Sequence, residues 1–312
     1  MKKIVITGGA GFIGSNLARV VLEKAPGEVV AIDNLNSGKT GNLAGLDRVR
    51  LEVLDIRDYE AIAAVIAGAD TVYHLAAIPS VPRSIDQPEP SHDVNINGTF
   101  NVFRAAQQGK VRRVVYAASS SAYGDTEVLP KIETMTPNPR SPYAAQKLMG
   151  EYYGSVFHSC FGLETVSLRF FNVYGPRQDP GSAYSGVLSL FNKHILDRTP
   201  PTIFGDGEQS RDFTYVEDVA NLCIKAAHAD GAVCGKVYNA GNGGKYSLNE
   251  IWGLLQKMER VAIPAKYGPA RPGDVKHSQA GVDAAVRDLG HAPEFSLEEG
   301  LRRTLAWYRV NR

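Results

Sequence analysis

Lys3-Ile4-Val5-Ile6-Thr7-Gly8-Gly9-Ala10-Gly11-Phe12-Ile13-Gly14 opens the chain, and its order decides the fold. A short β-branched run breaks into glycines, after which the apolar positions Leu17, Val20, Val21 and Leu22 recur at helical spacing. Strand, glycine turn and helix form the first part of a unit that cradles a dinucleotide. Gly8 permits the tight turn. Gly11 lets backbone N–H groups approach a pyrophosphate at the positive helix N-terminus, and Gly14 allows the helix to pack closely on the sheet.

The next apolar run, Val29-Val30-Ala31-Ile32, ends at Asp33, nineteen residues past Gly14. A carboxylate there can bond the ribose hydroxyls of the adenosine and would repel a 2′-phosphate, so NAD is the expected cofactor. Lys39 pulls mildly the other way, although a lysine in a loop is more often a solvated charge. Strand-like and helical runs then alternate over residues 51–54, 59–66, 71–75, 93–108 and 113–118. Such alternation predicts an α/β fold, a Rossmann-type doubly wound parallel sheet, with ligands beyond the carboxyl ends of its strands. The residues at those ends are Asp55-Ile56, His74-Leu75-Ala76-Ala77 and Ser119-Ser120-Ser121. Of these, Asp55 has the alternative role of capping the helix that follows, three serines at a strand end can also form a plain turn, and His74 is read as structural.

At 312 residues the chain has room for one large α/β domain and a smaller companion. With 34 basic and 33 acidic residues and no block of like charge, it carries no footprint for nucleic acid or an anionic membrane, which leaves a small molecule as the expected partner. Cys160, Cys223 and Cys234 are widely spaced and suggest neither a disulfide framework nor a metal site. The apolar run 4–6 is far too short for a signal segment or a membrane span, so a cytoplasmic protein without a metal is expected.

Ser141-Pro142-Tyr143-Ala144-Ala145-Gln146-Lys147 places Tyr143 and Lys147 on one face of a helix that Pro142 can open. A tyrosine hydroxyl titrates near 10 in water, and a neighbouring ammonium favours the phenolate, making a base for a sugar hydroxyl. Spacing alone would fit any amphipathic helix. Its position twenty-odd residues after the serines, behind a dinucleotide fingerprint, favours a Ser, Tyr, Lys constellation.

Residues 78–90 contain Pro79, Pro82, Pro88 and Pro90 and are expected to be an irregular loop on the substrate side. Residues 164–171 read as a sixth strand, after which loops and short elements prevail. A cofactor domain over 1–172 and a smaller C-terminal α/β substrate domain over 173–312 are expected, with an interwoven boundary. Helical patterns cover 187–196 and 216–227, and Ser247 with Glu250 and Ser296 with Glu299 read as capping boxes.

The motifs TGGAGFIGS, DNL, HLAA, NINGTFN, SSSAYGD, SPYAAQK, LRFFNVYGPRQ, FGDGEQSRDF and RPGDVKHS resemble those of extended short-chain dehydrogenases/reductases, in particular the nucleotide-sugar epimerase group. That resemblance implies an NAD-dependent UDP-hexose 4-epimerase that is a homodimer through helices around 95–108 and 143–158. It implies catalysis by Tyr143 and Lys147 with Ser119, Ser120 or Ser121. The cofactor is implied to be bound by Gly8, Gly11, Phe12, Ile13, Gly14, Asp33, Asn34, Asp55, Ile56, Leu75, Ala76, Ala77, Asn95, Lys147 and Phe171, Asn95 propping the lysine through a water. For the UDP-sugar it implies Ser84, Asn172, Thr202, Phe204, Arg211, Arg271, Asp274 and Ser278, the two arginines holding the diphosphate. Either arginine alone can also be read as a surface salt bridge.

The mechanism so implied passes through a 4-keto sugar: Tyr143 takes the O4 proton while enzyme-held NAD takes the C4 hydride, and the hexose turns over before both return. The dehydratase branch resembles Thr-Asp-Glu at the serine site, and its acids are missing here, whereas a UDP-uronic acid 4-epimerase or decarboxylase stays open. An NAD-binding regulator without catalysis is the alternative from another class. In the resembling family a tyrosine seven residues past the second arginine crowds the sugar C2. Ser278 at that place implies acceptance of UDP-GlcNAc and UDP-GalNAc beside UDP-Glc and UDP-Gal, unless it is merely a loop serine.

Overall fold

The structure, a computed structural model, describes residues 2–24, 27–181, 186–270 and 276–311. Seven parallel strands form one sheet in the spatial order Lys236–Ala240, Glu164–Phe170, Arg113–Ser119, Thr71–His74, Lys2–Thr7, Gly27–Ile32, Val49–Glu52. Val5, Val30, Val72 and Val114 lie in central strands without solvent exposure, as expected of a parallel sheet covered on both faces. Phe12–Lys24 and Val216–His228 cover one face through Leu17, Val21, Val219 and Cys223. On the other, Tyr59–Ile66, Thr99–Gln108 and Pro142–Phe161 bring in Ile62, Phe103 and Phe157.

Strand order reverses at Lys2–Thr7, which pairs with Gly27–Ile32 on one side and Thr71–His74 on the other. Connections leave in opposite directions there and open a crevice at the carboxyl ends. The seventh strand comes from the C-terminal half: Lys236–Ala240 pairs in parallel with Glu164–Phe170, from Lys236 against Val166 to Ala240 against Phe170. The chain therefore leaves the sheet after residue 170, builds elsewhere, and returns. A separate apolar cluster around Phe191, Trp252, Leu255 and Leu301 unites Val187–Leu196, Leu248–Glu259 and Leu297–Val310 into a second lobe.

Two expectations are corrected. The proline-rich stretch 78–90 is not irregular, since it contains the short helices Val81–Asp86 and Pro88–His92. Pro82, Pro88 and Pro90 all fall in first turns, where a missing N–H removes no helical bond, and Ser80 caps the first helix by accepting from Arg83 N at 3.1 Å. Of the two capping boxes only Ser247 with Glu250 is complete. Ser296 accepts from Glu299 N at 3.2 Å, but the Glu299 carboxylate turns outward to Arg302 and Arg303 instead of reaching back.

Candidate active site

A cleft of about 510 Å³ runs along the carboxyl ends of the strands. Following the strand order, Asp55, Ile56, Asp33 and Asn34 line one end; Gly8, Gly11, Phe12, Ile13, Gly14, Leu75, Ala76 and Ala77 the middle; Ser119, Tyr143, Lys147, Phe171 and Asn172 the other end. Glycine is required at the turn. Gly8 has φ +70° and an added Cβ would stand 2.9 Å from Ala76 N, while one on Gly14 would stand 2.2 Å from Gly8 O. Side chains there would fill the cradle and push the helix off the sheet.

Asp33 is buried and accepts from Ala10 N at 3.0 Å and Leu35 N at 2.8 Å, so one carboxylate fixes both the glycine turn and the loop after its own strand. Asp55 accepts from Arg57 Nε and Asn34 Nδ2, and the Arg57 contact holds it down to about 2. The helix Tyr59–Ile66 is capped by Asp58, which accepts from Ala61 N, so Asp55 stays at the cleft instead of capping. His74 is buried between Thr7 Oγ1 at 2.8 Å and Thr99 Oγ1 at 3.0 Å, and burial pulls it down to about 3, which leaves a neutral structural imidazole.

At the other end, Ser141 caps the helix Pro142–Phe161 by accepting from Ala144 N, and Pro142 occupies its first turn. Tyr143 N is held by the buried Ser84 Oγ at 3.1 Å. Ser84 thus positions the start of this helix but is not among the described cleft-lining residues. Lys147, one turn on, is buried with its ammonium 4.4 Å over the Tyr116 ring. Burial lowers it to about 7, opposed by Glu151. The neighbouring lysine was expected to favour the phenolate; at Tyr143 the larger cause is burial, which raises the hydroxyl, and the Ser119 hydrogen bond opposes it.

Of the three serines, Ser119 lines the cleft; its Oγ accepts from Ser121 N at 3.2 Å and Ser121 Oγ at 2.8 Å. Ser120 and Ser121 begin a short helical turn behind it. Asn95 is not among the described cleft-lining residues either. Its amide bonds Ile78 N and O and Gln146 Oε1, so it stitches the loop after Thr71–His74 to the Tyr143 helix.

On the substrate side, Asn172 donates from N and Nδ2 to Asp212 O. Arg211 Nη1 bonds the carbonyls of Ser210 and Lys276, and Ser278 N bonds Ser210 O at 3.0 Å, so Arg211 and Ser278 adjoin through Ser210. The buried Asp212 gathers the loops by accepting from Asn242 N, Gly243 N and Ala280 N. Thr202–Phe204 pairs with Lys266–Gly268, and neither Thr202 nor Phe204 is among the described cleft-lining residues. Arg271 and Asp274 lie outside the described residues.

Three features escaped the sequence. Glu151 and Arg169 form a buried bidentate pair at 2.8 and 2.9 Å on the face that carries Tyr143 and Lys147; the spacing of four from Lys147 was the available signal. Lys39 Nζ meets Asp179 at 2.7 Å, joining two rims of the cleft. Arg177, which the sequence showed only as one residue of the motif LRFFNVYGPRQ, also lines the cleft.

The model of the NAD dependent epimerase/dehydratase family matches residues 4–241. The UDP-glucose 4-epimerase of Mycolicibacterium smegmatis is 34% identical over 314 residues, covering 98% of each chain. The UDP-glucuronate 4-epimerase of Thermodesulfobacterium geofontis is 31% identical over 98% of this chain and 96% of its own. Among solved structures, the UDP-N-acetylglucosamine 4-epimerase of Methanobrevibacter ruminantium M1, in complex with UDP-N-acetylmuramic acid, superposes with a TM-score of 0.95 at 37% identity, covering 100% of this chain and 99% of that one.

Proposed function

This chain belongs to the NAD dependent epimerase/dehydratase family, and on that premise we propose that it inverts C4 of UDP-hexoses, taking UDP-GlcNAc and UDP-GalNAc as well as UDP-Glc and UDP-Gal. The observation that carries the reading is the meeting of Ser119, Tyr143 and Lys147 at one end of a cleft whose middle is a glycine turn. The residues present fit NAD: the cradle at Gly8 and Gly14 has no room for a Cβ, and Leu75-Ala76-Ala77 keeps the path beside it narrow-walled. Asp33 supplies the acid for the ribose. When bound, NAD supplies a reversible acceptor for the hydride of the sugar C4.

The chain's own work is proton transfer and orientation. Tyr143 takes the proton from the sugar O4 and returns it after the hexose has turned, with Ser119 holding the same oxygen and Lys147 stabilising the phenolate. Arg211, with Arg271, grips the diphosphate and leaves the hexose loosely held, which lets either face of the 4-keto sugar be presented. Ser278 adjoins Arg211, and its small side chain leaves space for a 2-acetamido group. The likeness to a UDP-N-acetylglucosamine 4-epimerase supports this substrate range.

The active form is a homodimer. Phe100, Met149, Tyr152, Val156 and Phe161 are exposed on Thr99–Gln108 and Pro142–Phe161, an apolar face of the kind that pairs with a copy of itself. Light scattering should give twice the chain mass, and a monomer would remove this part. Among the described residues no helix is long and apolar enough to cross a membrane.

Incubation with UDP-Glc, UDP-GlcNAc and UDP-glucuronate, with products identified by NMR, tests the assignment. C4 epimers of the first two are expected. A pentose from UDP-glucuronate would identify a decarboxylase, inversion of UDP-glucuronate alone a uronate epimerase, and bound NAD without any turnover a non-catalytic protein.

A further inference from the structure

Arg177 stands where a cation gains nothing unless an anion joins it. It lines the dinucleotide cleft on the segment after Asn172–Tyr174. Its Nη2 donates to Asn16 Oδ1 at 2.9 Å, and Asn16 Nδ2 donates to Phe12 O at 2.8 Å and Pro176 O at 3.0 Å. The guanidinium is therefore docked on Asn16, the fifth residue of Phe12–Lys24, whose amide is tied back to Phe12 O near the end of the helix that carries positive potential from its free N–H groups.

Nothing in that setting compensates it among the described residues. Arg177 Nε is shielded from solvent without a hydrogen-bond partner, and among the described residues the guanidinium's side-chain partner is the amide oxygen of Asn16, not a carboxylate. The backbone is held too: Arg177 has φ +69°, a left-handed conformation that a residue with a side chain keeps only when its surroundings impose it. Those surroundings include the Asn16 bond to Pro176 O and a hydrogen bond from Tyr308 Oη to Gln178 O. Burial and the nearby Arg19 both lower Arg177, to about 10, which still leaves it charged at neutral pH.

We infer that Arg177 is a ligand of the dinucleotide's diphosphate, donating from its guanidinium to phosphate oxygens presented to the glycine turn. The inference rests on the NAD reading and deepens it. A planar fork with an uncommitted N–H matches a bridged pair of phosphates better than a point charge would. The UDP-sugar carries the same chemistry. Contact with Asn16, on the helix that starts at the glycine turn, favours the dinucleotide as the source.

Binding of ADP, adenosine and UDP to the full-length chain, wild type, Arg177→Gln and Arg177→Lys, separates the possibilities by calorimetry without any turnover. Arg177→Gln should weaken ADP roughly tenfold to a hundredfold, the usual worth of a hydrogen bond to a charged group, while adenosine and UDP stay within about twofold. Purified Arg177→Gln should also retain less NAD(H) per chain. Equal weakening of ADP and adenosine would mean a structural role and overturn the inference, as would a loss confined to UDP. If Arg177→Gln fails to fold, Arg177→Lys decides: a selective loss of ADP affinity supports the inference, and an unchanged ADP to adenosine ratio contradicts it. Wild type freed of its resident NAD(H) that binds no ADP, yet epimerises once NAD is restored, would overturn it too, while the C4 reading stood.

Discussion

The Lys147 ammonium lies 4.4 Å above the ring of Tyr116, one helical turn past Tyr143. The ring face offers a cation some compensation for lost water, yet burial still brings Lys147 down to about 7 from 10.5. Between those values the unfolded chain holds a proton that the native chain releases, so this group's penalty is full below about pH 7 and fades as pH rises toward 10.5. Lys147→Met should therefore melt a few degrees above wild type at pH 6, with the gap closing by pH 10. A gap independent of pH in thermal unfolding would refute the assignment.

Tyr143→Phe should leave the melting curve and NAD content unchanged and cut turnover by about 10²–10⁴-fold, the usual contribution of a positioned acid–base group. Ser119→Ala should act through the same hydroxyl. Its hydrogen bond lowers Tyr143 against the raising effect of burial, so without it the ascending limb of the rate profile moves to higher pH. Turnover of Tyr143→Phe within a few fold of wild type would remove Tyr143 from the mechanism.

Glu151→Ala leaves Arg169 buried without its bidentate partner and should cost about 3–5 kcal/mol in chemical denaturation. Replacing both at once, Glu151→Leu with Arg169→Met, should recover most of that, because no buried charge is then orphaned. A double variant as unstable as the single one would show that the pair's geometry, and not its charge balance, holds this part of the core.

The nucleotide released by denaturing purified protein should be NAD(H). Asp33 is fixed by Ala10 N and Leu35 N with its carboxylate on the cleft, and Lys39, the residue that suggested NADP, is committed to Asp179. Asp33→Asn should reduce NAD retention and narrow the preference over NADP, read by chromatography of the released nucleotide.

Local chemistry made the sheet and much of the cleft legible. Glycines at Gly8, Gly11 and Gly14, an acid at Asp33 and serines at a strand end are each dictated by their immediate backbone. Pairings between distant segments were not. Nothing in 236–240 announces Glu164–Phe170 as its neighbour, and Arg177 acquires meaning only when Asn16, far away in the chain, comes to meet it. Asn95 is an intermediate case: the residue was singled out, but its amide is taken by Ile78 and Gln146, a choice that only the packed helices reveal. The proline-rich segment misled because proline breaks a helix by position, and here each helical proline falls in a first turn.

The account stands most directly on the fate of C4 in UDP-GlcNAc incubated with the enzyme in deuterium oxide and followed by NMR. It predicts an equilibrium mixture with UDP-GalNAc whose C4 hydrogen is retained, since the hydrogen that leaves C4 is held within the site and comes back to the same sugar; Ser278→Tyr should slow this reaction while sparing UDP-Glc. No inversion at C4 of any UDP-hexose, or inversion with deuterium appearing at C4, would contradict it.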